Sequence, residues 1–284
     1  MSDNGVGMTH LDEHDDHGGL QRDIPKLITR RQAVMWAGGL SLAGILAACG
    51  SDSEGASTAS GSSTGVATSG SAPADSTASA GPEIPDETQG PFPADGSNGP
   101  NLLGTDGINR SDITSSIGGL SGTAEGVPMR LQLTVVNASD GSPLAGAAVY
   151  LWHCTADGRY SIYEISDQNY LRGVQAADDA GRIVFDTIVP GCYPGRWPHC
   201  HFEVYGGLDD ATSGQQATKT SQIALPQADC EAVYADSRYG GSLSNLGRLS
   251  LASDGVFADG WQDQLATLSG SPSSGYTASL LVRT

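Results

Sequence analysis

The stretch "PGCYPGRWPHCHFEVYG" occupies residues 190–206 and holds two of the six histidines of a 284-residue chain. From His199 to Tyr205 it is short, aromatic and β-branched, and it stops at Gly206, which is the pattern of a β-strand. Alternate residues of a strand project from one face, so His199 and His201 point the same way. Two imidazoles at that spacing can hold one metal ion, although an isolated His-x-His fits a wet sheet face equally well. The sequence just upstream sharpens the choice. Pro190-Gly191 and Pro194-Gly195 are two turn signals that shape a loop presenting Tyr193 and Arg196 to the strand.

Working outward, the same two-residue period recurs. "RLQLTVVN" (residues 130–137) alternates Leu131, Leu133 and Val135 with polar neighbours. "AAVYLWHC", "RIVFDTIV" and "ASLLVRT" are of the same kind, bounded by Gly, Pro, Asp and Asn. Asp140-Gly141 with Pro143 is a turn between two of them. Helical signals are confined to a turn or two in "PQADCEAVYADS" and "GWQDQLATL". Many short strands with few helices predict an all-β fold, an antiparallel β-sandwich.

Composition divides the chain into three. Residues 1–48 read as an export signal, in which Arg30 and Arg31 precede an apolar run over residues 33–48 that is too short to span a bilayer comfortably. The arginine pair resembles a twin-arginine signal, and "LAAC" ending at Cys49 resembles a lipoprotein cleavage site. Residues 49–81 then comprise a lipidated Cys49 and a flexible Ser/Gly/Ala/Thr linker, which lacks the large apolar residues needed to offset chain entropy. Residues 82–284 form the folded domain. The expected location is the cell envelope, on the outer face of the cytoplasmic membrane, or outside the cell.

A formal charge of −18 argues against nucleic acid and anionic lipid surfaces as partners. Membrane contact is expected only through the anchor at Cys49. The other cysteines are Cys154, Cys192, Cys200 and Cys230. They leave two disulfides in three connectivities open. Cys200 faces away from the two histidines, as a core residue or disulfide partner. His153, within a strand beside Trp152, reads as a buried, hydrogen-bonded histidine, and Asp178 and Asp179 as solvated turn residues.

A second segment, "VYLWHCTADGRYS" (residues 149–161), ends a strand in an Asp157-Gly158 turn and presents Tyr160. With "ETQGPFPADG", "INRSDI", "PGCYPGRWPHCHFEVY" and "TSQIAL" in this order, residues 84–225 resemble the intradiol ring-cleavage dioxygenases, the non-haem Fe(III) enzymes of the catechol and protocatechuate type. The resemblance implies that Tyr160, Tyr193, His199 and His201 are the metal ligands. It implies that Arg196 stabilises charge on the substrate ring and that Gln222 orients it. Residues 88–92 correspond to a segment that often lines the family's pocket from a neighbouring chain, and homo-oligomer formation is left open.

The implied reaction is Fe(III)-dependent cleavage of a catechol-type aromatic diol by O2 to a cis,cis-muconate-type diacid. Two phenolates and two imidazoles form a hard donor set suited to ferric iron. Tyrosine, with a reference pKa of about 10, ligates as its anion only to a strongly Lewis-acidic ion. Two rival readings are a non-catalytic envelope sandwich with a binding role, and a copper or zinc site without ring cleavage. The identity of the diol is not encoded in any of these motifs.

Overall fold

A computed structural model describes residues 78–284. The expected export signal, lipidated Cys49 and linker up to residue 77 lie outside the described residues. Eight strands make two four-stranded sheets. They are β1 (Pro128–Val136), β2 (Ala148–Trp152), β3 (Arg172–Ala176), β4 (Arg182–Ile188), β5 (His199–Tyr205), β6 (Lys219–Ala224), β7 (Thr267–Ser271) and β8 (Gly275–Arg283). One sheet runs β4-β1-β8-β7 and the other β3-β2-β5-β6. All pairings are antiparallel except β1 with β8, which is parallel. Two short helices, α1 (Gln227–Val233) and α2 (Ser242–Leu246), follow β6. The all-β sandwich expected from the strand pattern is the fold found.

The first sheet follows the rule of one face in, one face out. In β1, Met129, Leu131, Leu133 and Val135 are buried while Arg130 and Gln132 are exposed. The inward residues meet Val149 and Leu151 of β2, Cys200, Phe202 and Val204 of β5 and Ile223 of β6 in one continuous core. The second sheet differs, because β2 and β5 are buried at every residue. Its outer face carries a second apolar cluster of Tyr150, Trp152, Val174 and Tyr205, covered by Leu102, Leu103, Ile108 and Tyr160 from the loops. His199 and His201 lie on this covered face.

Two sequence expectations are revised. "GWQDQLATL" forms a turn that leads directly into β7, and Thr267 pairs with Ser279 of β8. Gln264 of this turn is fully buried and donates to Gln222 O and Ser221 Oγ, so tertiary pairing overrides a weak helical preference. The two disulfides left open by the cysteine count are not formed, since Cys154, Cys192, Cys200 and Cys230 are all free and buried. Cys200 sits in the core between the sheets.

His153 is buried, as its setting beside Trp152 suggested. Its Nδ1–H donates to Cys154 O at 2.8 Å, which leaves Nε2 to accept from the Thr187 hydroxyl at 2.7 Å. Burial holds its pKa down at about 4.

The core sets two expectations. Replacing Leu133, which is fully buried, with alanine should destabilise the domain by about 2–5 kcal/mol in a denaturant titration. His153 stays neutral in the folded state below the unfolded value of about 6.5. Its share of the stability is therefore intact above that pH and lost as pH falls towards about 4, an effect of up to about 3 kcal/mol. His153→Gln should flatten this part of the stability profile, measured as denaturation midpoints at pH 7 and pH 4.5.

Candidate active site

Two loops build the site by crossing closely. The first runs from the end of β2 to Tyr160, and the second precedes β5 and carries Tyr193 and Arg196. Gly191 N donates to Thr155 O at 3.0 Å. A Cβ on Gly191 would lie only 2.3 Å from Ala156 O, so only glycine permits this approach. Gly158, at φ +85°, completes the turn of the first loop directly against Tyr193. In the second loop Arg196 N reaches Tyr193 O at 3.5 Å, and Gly195 has φ 85°. Proline followed by a positive-φ glycine is the type II turn, and it brings Tyr193 and Arg196 to the same end of β5.

The four residues singled out by the sequence converge. His199 Nε2 lies 3.0 Å from His201 Nε2, and Tyr193 Oη lies 3.3 Å from His199 Nε2. The Tyr160 ring packs edge-on against both Tyr193 and His201, with centroids 6.0 and 6.2 Å apart. His199 Nδ1 is 2.5 Å from the Trp197 carbonyl. It must therefore carry the proton, which leaves the Nε2 lone pair facing the centre of the group. His201 is stacked on Trp152, with centroids 5.0 Å apart and planes 7° apart.

Tyr160, His199 and His201 are each about 2% exposed, and Tyr193 is half-buried. Burial, reinforced by the Arg196 charge, lowers His199 to about 3, and burial with the neighbouring His199 holds His201 well below its ordinary value. Both imidazoles are neutral at physiological pH. Burial raises the Tyr160 phenol well above its ordinary value, and its Oη has no hydrogen-bond partner.

An unpartnered phenol beside the inward lone pair of His199 and the Nε2 of His201 fits a metal ion. Two donors each about 2.1 Å from one ion at roughly 90–109° lie about 3.0–3.4 Å apart, which matches the separations here. Among the described residues, no group of three or more His, Cys, Asp or Glu comes together to hold a metal. The two phenols are the further oxygen donors beside the paired imidazoles.

Arg196 and Gln222 stand beside the four. Both are fully buried, and Arg196 Nη2 donates to Gln222 Oε1 at 2.6 Å. Gln222 sits opposite His201 in the β5–β6 register and donates through Nε2 to Thr88 O at 2.8 Å. Residues 88–92, the segment that lines the pocket in the resemblance, thus reach the site from the same chain. Phe92 packs on Tyr160 with centroids 4.9 Å apart.

The sequence reading missed Asp254, which is fully buried and paired with Arg196 Nε at 3.1 Å. It lies in a turn-rich stretch 58 residues downstream, where an Asp-Gly pair signals only a loop. The Trp152 stack was also missed, and the β2–β5 register that creates it (Trp152 opposite His201) is a property of the pairing and not of either strand.

A family model described as Dioxygenase matches residues 100–207, which include Tyr160, Tyr193, Arg196, His199 and His201. A chlorocatechol 1,2-dioxygenase of Pseudomonas sp. (strain P51) is 38% identical over 66 residues, 22% of this chain and 26% of that protein. A 6-chlorohydroxyquinol 1,2-dioxygenase of Cupriavidus pinatubonensis is 43% identical over 60 residues, 21% of this chain and 22% of that protein. The chain thus spans about a quarter of the length of these curated relatives. Among solved structures, an intradiol ring-cleavage dioxygenase from Tetranychus urticae superposes with a TM-score of 0.52 at 23% identity, covering 63% of this chain and 87% of that one. Over residues 100–207, which carry the site, the chain is thus similar to the dioxygenase family and to ring-cleaving 1,2-dioxygenases.

Proposed function

We propose that the protein cleaves a catechol-type aromatic diol between its two oxygenated carbons with O2, giving a cis,cis-muconate-type diacid. The observation that carries this reading is the convergence of Tyr193 Oη, His199 Nε2 and His201 Nε2 at 3.0–3.3 Å, beside the unpartnered Tyr160 Oη. Tyr160, Tyr193, His199 and His201 hold ferric iron on this reading. When bound, that ion acidifies the phenols, binds the two adjacent oxygens of a diol and activates its ring towards O2.

The chain's own residues supply the rest. Tyr193 is the half-buried member of the set and so the phenol an incoming diol reaches. As its anion it is a base placed to take a substrate proton. Arg196 puts a fixed positive charge in a dry site, where it stabilises negative charge developing on the ring. Gln222, held between Arg196 and Thr88, fixes the orientation of that charge and of the ring. Phe92 and Trp152 pack against Tyr160 and His201 and keep bulk water from the donor atoms.

The same reading puts the enzyme in the cell envelope. Its support is the run from Arg30 to Cys49 followed by the Ser/Gly/Ala linker. Labelling with a radiolabelled fatty acid should mark the mature protein, and Cys49→Ser should abolish the label. A label that persists in the variant would remove the anchor from the proposal.

Ring cleavage is tested on the purified protein by metal analysis, visible spectroscopy and an oxygen electrode with a panel of diols. The expected result is about one iron per chain, a visible tyrosinate-to-iron band and O2 consumption with at least one catechol. Tyr193→Phe should shift the band, and His199→Ala or His201→Ala should remove the iron. Iron-loaded protein that consumes no O2 with any diol of the panel would refute the activity.

A further inference from the structure

Arg196 is buried without exposure, and the way it is held distinguishes its two ends. Its Nε donates to Asp254 Oδ2 at 3.1 Å, and Nη2 donates to Gln222 Oε1 at 2.6 Å. Asp254 is itself fixed on both oxygens. Oδ2 also accepts from Trp197 N at 2.7 Å, and Oδ1 accepts from Val256 N at 2.8 Å and Phe257 N at 3.1 Å. Burial alone would raise this carboxyl, yet the Arg196 charge and the backbone donors of Trp197 and Val256 outweigh it and leave the group below its ordinary value. Asp254 is therefore an anion at neutral pH, anchored to backbone that neither side chain can move.

This arrangement does more than neutralise a buried charge. A guanidinium is a flat fork, so fixing the Nε edge against a rigid carboxylate determines the plane and direction of the rest. The remaining edge is turned towards Gln222, whose amide reaches Thr88 O on the segment that covers the site. The loop bearing Asp254 also places Phe257 against His199, with ring centroids 6.5 Å apart.

We propose that Asp254 is a positioning residue for ring cleavage, which aims the Arg196 guanidinium at the charge that develops on the substrate. This rests on the ring-cleavage reading above. Asp254 hydrogen-bonds to Arg196 and to the backbone of Trp197, Val256 and Phe257, and to none of the four donor side chains, so it acts through Arg196. Because the aimed charge matters most as the transition state forms, loss of the aim should lower kcat and leave KM nearly unchanged.

The test uses the full iron-loaded chain with whichever diol the wild type consumes. Asp254→Asn keeps the size of the side chain and one of the two acceptor oxygens, but removes the anion and sets an amide donor against the N–H groups that the other oxygen served. The expected result is wild-type iron content and an unshifted tyrosinate band, with kcat lower by about tenfold to a hundredfold and KM within about twofold. In an Arg196→Gln background, adding Asp254→Asn should cost no more than about a further twofold. Unchanged kcat in Asp254→Asn would overturn the proposal, as would losses that multiply in the double variant. Asp254→Ser is a second variant with an acceptor oxygen. If both variants fail to yield folded, iron-loaded protein, Asp254 belongs to the fold and the proposal is overturned. A wild type that consumes no diol at all would instead refute the ring-cleavage reading, so the two failures are distinct.

Discussion

The burial of β5 on both faces is the constraint on which the rest of the structure depends. One face, with Cys200, Phe202 and Val204, closes the core between the sheets. The other carries His199, His201, Glu203 and Tyr205 under a roof of loops, and every residue of the strand is buried. A polar row in such a place depends on internal partners, and His201 Nδ1 and Glu203 Oε1 are the two atoms of it that lack one. Glu203 accepts from the Tyr205 hydroxyl at 2.6 Å, and burial raises its pKa to about 8, so it is largely a neutral carboxyl at pH 7. The two histidines are likewise neutral. A dry site also strengthens each electrostatic interaction within it, which is why the buried Arg196 needs Asp254 and Gln222 around it.

The roof depends on backbone geometry as much as on side chains. Gly191 and Gly158 let the loops bearing Tyr160 and Tyr193 approach to hydrogen-bond distance. Without that approach the phenols would belong to two separate surfaces. Residues 88–92 complete the enclosure through Thr88 and Phe92. They come from the same chain as the donors they cover.

The sandwich was legible wherever burial is one-sided. The alternation of Leu131, Leu133 and Val135 in β1 announces a strand with a single inward face, and the helix over Gln227–Val233 falls where its weak signal lay. β3 and β6 are less visible, because their identity as strands comes from pairing with β2 and β5. β7 was obscured by a sequence that tolerates a helical turn. At the site, Tyr160, Tyr193, Arg196, His199 and His201 were legible because turns and spacing act within each segment, and their family order linked the segments. Asp254 was not legible, since its meaning arises only when a distant loop folds back onto Arg196. Nor could the cysteine count reveal that all four thiols of the described residues are free and buried.

The central claim is that two phenols and two imidazoles share one iron ion, and anomalous diffraction at the iron absorption edge tests it most directly. The expected result is one strong peak within about 2.3 Å of Tyr160 Oη, Tyr193 Oη, His199 Nε2 and His201 Nε2. A peak beside the buried cysteines, or iron-bearing crystals with no peak near the paired imidazoles, would contradict it.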